Sequence, residues 1–298
     1  MSLDNDYRVL RSGVGAVVLD RDVVAVSGPD AAEYLQGQLS QDVAGIEVGG
    51  SALSLLLEPQ GRLDAFLRVS RTDQDRFLLD VDGGHGEAVA SRLGRFKLRT
   101  KVVIAPITGW RCVALRGPAA AAAAQEGRAE VRARFDWPGA GGVDLMGPEA
   151  AAGAGVPECS LDAWEAVRIE AGLPMMGREL DERTIPHETG LVERAVDFTK
   201  GCYTGQELVA RLDARGANTP RRLRGLVAAE AAPVGSEVVA TERVVGSVTS
   251  AAVSPRLGAV ALAYVRREVD PPADVILRWP HGETRARVEA LPLSPLDR

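Results

Sequence analysis

The chain has 298 residues, of which 46% are hydrophobic and 26% charged, a composition typical of a globular protein that can bury a sizeable core. Its 35 basic and 41 acidic residues give a formal net charge of −6, which excludes an overall basic surface for nucleic acid. The length predicts two or three structural units rather than one.

The cysteines and the first residues indicate the compartment. Cys112, Cys159 and Cys202 are far apart and form no CxxC pair, so we expect neither a disulfide framework nor a structural zinc site. Reduced thiols of this kind favour a cytoplasmic location. Residues 1–11 are polar and charged, and no apolar run approaches the roughly 20 residues of a membrane helix, so we expect no signal peptide and no membrane span.

The N-terminal third alternates strand-like and helix-like segments. Asp30 and Glu33 predict a capping box that opens a helix, and a second helix is predicted over 86–96 by its apolar spacing. The segment 98–104 is expected to form a strand. Short β-rich runs between turn residues predict five more strands, arranged in part as an antiparallel meander, over 14–19, 23–27, 52–57, 63–69 and 76–81.

The middle of the chain contains its clearest helix. Ser160 is a good N-cap for a helix over 161–171, and Gly172 ends it. The apolar stripe of this helix consists of Leu161, Trp164, Val167 and Ala171. Glu170 lies on the flank of that stripe, where a carboxylate can face a cavity bounded by the core.

Weaker patterns surround this helix. The alanine run 119–124 predicts a short helix, and the Gly-, Ala- and Pro-rich segment 138–157 predicts loops around one strand. Residues 184–191 and 195–199 are expected to be ordered loop, followed by a short helix over 206–211. Six short β-rich runs then predict a small barrel or sandwich, over 226–227, 237–240, 244–249, 259–265, 275–277 and 286–289.

Common catalytic motifs are absent from the sequence. It contains no GxxxxGK[ST], no GxGxxG after a strand, no GxSxG and no HExxH. Its three histidines, His85, His187 and His281, have no metal-ligand spacing. A serine hydrolase and a zinc enzyme are therefore disfavoured, and we expect no metal site.

The loop before the 206–211 helix carries the most chemistry. Gly201 and Gly205 flank Cys202 and let the backbone turn tightly or approach a ligand. Lys200 and the start of the following helix both favour a thiolate, which makes Cys202 a candidate reactive thiol. Spacing alone leaves open, and somewhat favours, a small buried residue in a structural turn.

This loop resembles the motif of the YgfZ family, which is related to the glycine cleavage T-protein, an aminomethyltransferase. The motif residues are Lys200, Gly201, Cys202, Tyr203, Thr204, Gly205, Gln206 and Glu207. The resemblance extends to residues 168–174 and 177–180, which are similar to the RxEAG element of the superfamily. Residues 28–43 and 61–64 resemble its N-terminal helix and hairpin.

The resemblance implies an α+β, three-lobed T-protein-like fold with antiparallel sheets, a central cavity for tetrahydrofolate and a C-terminal β-barrel. We expect an N-terminal α+β lobe over 1–105 and a second α+β lobe over 106–220, which contains the RxEAG helix and the cysteine loop. The C-terminal barrel is expected over 221–298.

The resemblance also implies roles for individual residues. Glu170 is expected to hold the polar edge of the pterin, since a carboxylate suits its hydrogen-bond donors. Arg222 is expected to contact folate, and Lys200, Cys202 and Tyr203 to be the catalytic residues of the loop. In the hairpin, Asp64 stands where the T-protein has paired aspartates, and it is expected to bind the cofactor, the alternative being a surface residue near the turn.

The implied function is that of a tetrahydrofolate-binding accessory protein for the assembly or repair of iron–sulfur enzymes, including ones that modify tRNA. Its partners would be folate, iron–sulfur client proteins and tRNA. The alternative is a folate-dependent aminomethyltransferase or demethylase acting on a small amine, which the missing second aspartate weakens. An RNA-binding module is the third alternative, disfavoured by the net negative charge.

Basic residues form two groups that could serve such partners. Arg95, Lys97, Arg99 and Lys101 alternate, so in a strand they would share one face. Arg221, Arg222 and Arg224 precede the predicted barrel. Either group could bind an RNA phosphate or the glutamate tail of folate, or could be a solvated surface of an acidic protein.

Overall fold

The computed structural model describes residues 2–293, so residues 294–298 of the third predicted lobe lie outside it. The helices of the described chain are α1 (Leu3–Ser12), α2 (Ala31–Gln38), α3 (Gly86–Arg95), α4 (Ala120–Ala123), α5 (Leu161–Glu170), α6 (Val192–Ala195) and α7 (Gln206–Ala214). Its strands are β1 (Gly15–Leu19), β2 (Arg21–Ser27), β3 (Ser51–Leu57), β4 (Leu63–Asp73), β5 (Arg76–Asp82), β6 (Val103–Ile107), β7 (Arg111–Arg116), β8 (Val131–Phe135), β9 (Gly142–Gly147), β10 (Arg221–Ala228), β11 (Glu237–Ala240), β12 (Arg243–Ser254), β13 (Gly258–Arg266), β14 (Ala273–Trp279) and β15 (Gly282–Glu289).

Two antiparallel sheets occupy the first half of the chain. The larger has the strand order β3-β4-β5-β2-β6 and contains the predicted meander. The smaller has the order β1-β7-β9-β8. Apolar side chains from both sheets form one buried cluster that joins them, consisting of Val23, Leu78, Cys112, Ala133 and Met146.

The chain crosses from one sheet to the other between β1 and β2. β1 pairs with β7, with Gly15 opposite Arg116, whereas β2 pairs with β5 and β6. The two sheets therefore share the N-terminal segment. The lobe boundaries that we predict at residues 105 and 220 stay a prediction.

The C-terminal part is a closed barrel with the strand order β10-β13-β12-β11-β14-β15. Alternate residues of each strand point inward, as in β15, where Thr284, Ala286 and Val288 are buried between exposed neighbours. A barrel leaves no free sheet edge, because β10 also pairs with β15. The barrel that the resemblance implies is confirmed. The alternative of a small sandwich, which the strand pattern left open, is not observed.

Helix α5 connects the barrel to the rest of the molecule. The Ser160 hydroxyl accepts a hydrogen bond from the Ala163 amide, as predicted for an N-cap, and Gly172 ends the helix at φ +67°. The helix packs on α1 and on the barrel strands β12 and β13. Three residues of its predicted stripe are buried, but Leu161 is 61% exposed.

Several local predictions are wrong. The predicted strand 98–104 is instead an irregular segment followed by β6, and Arg99 has φ +59°. The basic residues 95–101 therefore share no strand face. Asp30 does not form a capping box, because its carboxylate accepts a hydrogen bond from the Lys101 amide. Helix α1 was not predicted from its polar sequence.

Across residues 2–293, no helix combines the length and the apolar character needed to cross a membrane.

Candidate functional site

A cavity of about 810 Å³ lies where the two sheets, α5 and the barrel meet. A cavity of this size suits a small organic ligand or cofactor. Its apolar wall is aliphatic and aromatic, formed by Val18, Leu19, Leu53, Phe66, Leu67, Trp110, Phe135, Leu161, Trp164, Leu173, Pro174, Met175 and Ala251. Its polar lining consists of Asp20, Arg21, Asp82, Arg111, Cys112, Arg116, Asp144, Asp162, Glu165, Arg168 and Arg178.

Buried ion pairs join the two sheets beside this central cavity. Arg68 donates through Nε to Asp80 at 2.9 Å and through Nη1 to Asp144 at 2.8 Å. Asp144 also accepts from Arg116 at 2.6 Å, and Arg21 donates to Asp80 at 2.7 Å. Burial opposes ionisation of Asp144, but Arg116 and Arg68 outweigh it and hold the pKa of this carboxyl far below its usual range.

Arg116 is the most informative residue of the cavity wall. Its guanidinium lies 4.9 Å from the ring centre of Phe135 and 5.1 Å from that of Trp164. The residue is 2% exposed, yet its Nε is buried and has no hydrogen-bond partner within the described chain. An unpaired buried donor is costly, so an acceptor atom of a ligand would be stabilised here.

A thiol and a carboxylate complete the cavity lining. Burial raises the pKa of Cys112 well above its usual range, and the charge of Asp144 raises it further, so the thiol is neutral. Glu165 accepts hydrogen bonds from Arg168 and Arg178. Burial opposes its ionisation, but these contacts lower its pKa.

Lys200 holds the cysteine loop against α2. Its Nζ donates to three backbone carbonyls at the end of that helix, Gln36 at 2.7 Å, Leu39 at 2.6 Å and Gln41 at 2.9 Å. A lysine suits this position because the carbonyls at a helix C-terminus lack helical partners. Burial lowers the pKa of Lys200 to about 8.

The rest of the loop docks on the turn between β3 and β4. Gly205 has φ +82°, and a Cβ there would lie 2.5 Å from the Glu58 carbonyl oxygen. Gly61, in that turn, equally faces Leu208 and Gly205. Gly205 therefore allows a close approach, as predicted for a glycine of the loop, but the group that approaches it is the backbone of the β3–β4 turn rather than a ligand.

Side chains and amides of the loop complete this docking. The Gln206 side chain accepts from the Tyr203 amide at 3.0 Å, and the Thr204 amide donates to the Gly37 carbonyl at 3.1 Å. Burial raises the pKa of Tyr203 to about 12, and its ring centre lies 5.1 Å from the Lys200 ammonium.

Cys202 is exposed at the tip of this loop, with Gly201 and Glu207 exposed near it. It does not line the central cavity. The structure thus places this candidate catalytic thiol outside the central cavity.

Glu170 is buried, but it faces the protein rather than the central cavity. Its carboxylate accepts from the Tyr7 hydroxyl at 2.8 Å, from the Ser254 hydroxyl and from Arg256 at 2.5 Å. Its backbone carbonyl accepts from the Leu293 amide at 2.7 Å. The flank position predicted for Glu170 leads to the interface between α1 and the barrel, and its predicted pterin contact stays a prediction.

The two remaining predicted residues also lie away from the central cavity. Asp64 forms an ion pair with Arg92 at 2.7 Å. Arg222 donates to the Ala217 carbonyl at 3.0 Å and lines a separate, smaller cavity at the end of the barrel. Composition and spacing did not single out Arg116 or Asp144, because nothing local marks an arginine or aspartate in a strand as a cavity residue.

The fold and its parts are those of the glycine cleavage T-protein. The GCVT N-terminal domain matches residues 3–137, and the glycine cleavage T-protein C-terminal barrel domain matches residues 221–294. The crystal structure of glycine cleavage system aminomethyltransferase T from Bartonella henselae has a TM-score of 0.83 at 23% identity, covering 99% of this chain and 90% of that one. The predicted three-lobed α+β fold is thereby confirmed.

Two relatives narrow the assignment within this fold. An uncharacterized protein of Haemophilus influenzae is 30% identical over 243 residues, which cover 77% of this chain and 81% of that protein. The tRNA-modifying protein YgfZ of Klebsiella pneumoniae is 30% identical over 226 residues, which cover 67% of each chain. The chain belongs to the YgfZ family, related to the aminomethyltransferases, as the cysteine loop predicts.

Proposed function

We propose that the chain binds a reduced folate in the central cavity and supports the assembly or repair of iron–sulfur enzymes, including ones that modify tRNA. The observation that carries the folate proposal is the cavity wall around Arg116, whose guanidinium has one buried unpaired nitrogen and lies about 5 Å from the ring centres of Phe135 and Trp164. The relationship to the T-protein and to a relative named as a tRNA-modifying protein supports the same reading.

The lining of the cavity fits a pterin by its chemistry. A pterin is flat and carries both hydrogen-bond acceptors and donors, which need aromatic surface and polar partners of both kinds. Phe135 and Trp164 supply the aromatic surface, Arg116 Nε supplies a donor, and Glu165 supplies acceptors at the rim. A bound tetrahydrofolate would contribute one-carbon chemistry at its ring and bridging nitrogens, while these residues bind and orient it.

Calorimetry with tetrahydrofolate under reducing conditions tests this site. We expect the wild type to bind and Phe135→Ala to bind about tenfold more weakly or worse, because tenfold corresponds to about 1.4 kcal/mol of lost ring contact. Phe198→Ala, which removes a ring that is 49% exposed, serves as the matched control and should bind normally. Absence of binding to the wild type, or equal binding by Phe135→Ala, would overturn the folate proposal.

The thiol of Cys202 is proposed to act on the iron–sulfur substrate from outside the cavity. Its exposure supports this role, because a thiol must be accessible to contact a cluster or sulfur held by another protein. Lys200 serves in this proposal to hold the loop, since its ammonium donates to carbonyls in and just after α2. Tyr203, Thr204 and Gln206 fix the loop conformation.

Complementation tests the role of the thiol. In a strain that lacks the gene, Cys202→Ser should fail to restore the activity of an iron–sulfur enzyme, whereas Cys159→Ala, which alters a buried thiol, should restore it. Full restoration by Cys202→Ser would exclude a mechanism that uses this thiol.

Aminomethyl transfer is not favoured for this chain. The one aspartate retained in the hairpin, Asp64, is held by Arg92, and position 65 is alanine. The cytoplasmic location stays part of the proposal and is supported by the free state of all three cysteines.

A further inference from the structure

A second cavity, of about 360 Å³, lies at the end of the barrel and shares no lining residue with the central cavity. Its walls come from the turn after α5, the 3-10 turn Pro186–Glu188, α6, the end of α7 and the start of β10. It is too small for a folded partner and large enough for a small molecule.

Two arginines of β10 line this second cavity. Arg222 and Arg224 are two residues apart in the strand, so their side chains point to the same side. Both come before Gly225, where the pairing of β10 with β15 begins. Both are half-buried. Arg222 donates to one backbone carbonyl, and within the described chain the Arg224 side chain makes no hydrogen bond. Burial lowers the pKa of Arg224, the neighbouring charge of Arg222 lowers it further, and the charge of Asp270 partly opposes both effects.

His187 adds a buried group without partners to the same wall. It is 9% exposed, and both ring nitrogens are buried without a hydrogen-bond partner within residues 2–293. Burial lowers the pKa of His187, Asp213 partly opposes this effect, and Arg222 lowers the pKa further, so the ring is neutral near pH 7. A neutral imidazole has one donor and one acceptor, and leaving both unpaired in a protein interior is costly.

The carboxylates around this cavity do not neutralise the two arginines. Glu188 is buried, but it is ion-paired with Arg221 at 3.0 Å. Asp213 and Glu193 are exposed at the rim, and Asp270, whose charge acts on Arg224 without an ion pair, is also exposed, so water screens all three charges. The interior is therefore positive and offers unpaired donors.

We propose that the second cavity binds a small carboxylate anion through Arg222, Arg224 and His187. Guanidinium groups present paired N–H donors that match the two oxygens of a carboxylate, and the imidazole adds one further hydrogen bond. The anion can be a free dicarboxylate or the glutamyl end of a folate, because the two share this chemistry. The first source is independent of the proposed function, and only the second rests on it.

Calorimetry of the full chain with glutarate, a plain dicarboxylate, tests the site. We expect the wild type to bind, Arg224→Gln to bind about tenfold more weakly or worse, and Arg285→Gln to bind normally, because Arg285 is an exposed arginine of the same barrel. The Tm of each variant shows that it is folded. No binding by the wild type, or equal binding by a folded Arg224→Gln, would overturn the proposal.

A second arm separates the two sources. If saturating tetrahydrofolate abolishes glutarate binding, the cavity takes the glutamyl end; if both bind together, it takes a free anion, and either result supports the site. Phe135→Ala lies in the other cavity, so loss of glutarate binding and loss of folate binding can be told apart.

Discussion

At the scale of single residues, Arg68 shows how the two sheets are held beside the central cavity. Its side chain is 2% exposed and donates to one carboxylate from each sheet, Asp80 and Asp144. Charges this far from water are tolerated because each has an opposite partner within hydrogen-bonding distance. Removing one partner leaves the other buried and uncompensated.

Asp144→Asn therefore should destabilise the protein strongly. The substitution leaves Arg68 and Arg116 without their shared carboxylate, and we expect a loss of about 3–5 kcal/mol in the free energy of unfolding, measured in urea. Asp136→Asn is the matched control, because its pair with Arg134 is 82% exposed on the aspartate side and should change stability by about 0.5 kcal/mol or less.

The same pair of variants predicts a pH dependence. The pKa of Asp144 is lowered in the folded state, so its contribution is present above the unfolded value of about 3.9 and is lost as the pH falls below it. Urea unfolding between pH 6 and pH 3 should show a shallower loss of stability for Asp144→Asn than for the wild type. Parallel pH profiles would contradict this account.

At the scale of elements, the contact between the cysteine loop and the β3–β4 turn depends on two facing glycines. Gly205 and Gly61 both have φ +82°, and each occupies space that a Cβ on the other segment would need. Left-handed backbone favours glycine, but here steric contact adds a second requirement. The loop motif is thus a docking motif as well as a carrier of the thiol.

Gly205→Ala and Gly216→Ala separate these two requirements. Gly216 has φ +72° but an open surrounding, so its alanine variant should lose only about 1–2 kcal/mol through backbone strain. A Cβ at Gly205 would also meet Leu57 Cβ at 2.7 Å, and we expect roughly 1–3 kcal/mol of further loss. Equal Tm values for the two variants would show that the close contact does not matter.

The local elements could largely be predicted from the sequence, because they depend on neighbouring residues. The meander, the Ser160 cap and the barrel strands follow from turn residues and apolar alternation. Helix α1 was missed because it is polar, although Ser2, Asp4 and Asp6 are ordinary signals of a helix start. The strand predicted over 98–104 forms only at residues 103 and 104, where β6 begins, because Arg99 has a left-handed backbone that interrupts an extended segment.

The candidate site could be predicted only in part. The cysteine loop was found through its motif, whereas the residues around the central cavity come from several strands separated in sequence. The partners of Glu170 lie at positions 7, 254 and 256, so no local pattern could show that its carboxylate holds the barrel. Such contacts become visible only when the fold brings the elements together.

At the scale of the whole molecule, Glu170 joins three parts of the structure. Tyr7 comes from α1, Ser254 from the end of β12, and Arg256 from the following turn. The carboxylate is the common acceptor of all three donors. Because the carboxylate is buried, water can take its place as the acceptor only if the interface between α1, α5 and the barrel opens.

Glu170→Ala should therefore weaken the attachment of the barrel. We expect a loss of about 3 kcal/mol, at the lower end for a buried pair because the Arg256 side chain is 28% exposed. Calorimetric unfolding should separate into two transitions, whereas Glu182→Ala, which alters an exposed glutamate, should unfold like the wild type. A single transition at an unchanged Tm would contradict this role.

The crossing of the chain between the sheets has a consequence during synthesis. Strand β1 is synthesised long before its partner β7, in which Arg116 lies opposite Gly15. Helix α1 is synthesised even longer before Ser160, whose amide donates to the Asp6 carboxylate. Until residue 116 is synthesised, β1 lacks its partner β7, whereas β2 can already pair with β5. Helix α1 and strand β1 are thus among the last parts of the described chain to gain their native partners, although they are synthesised before those partners.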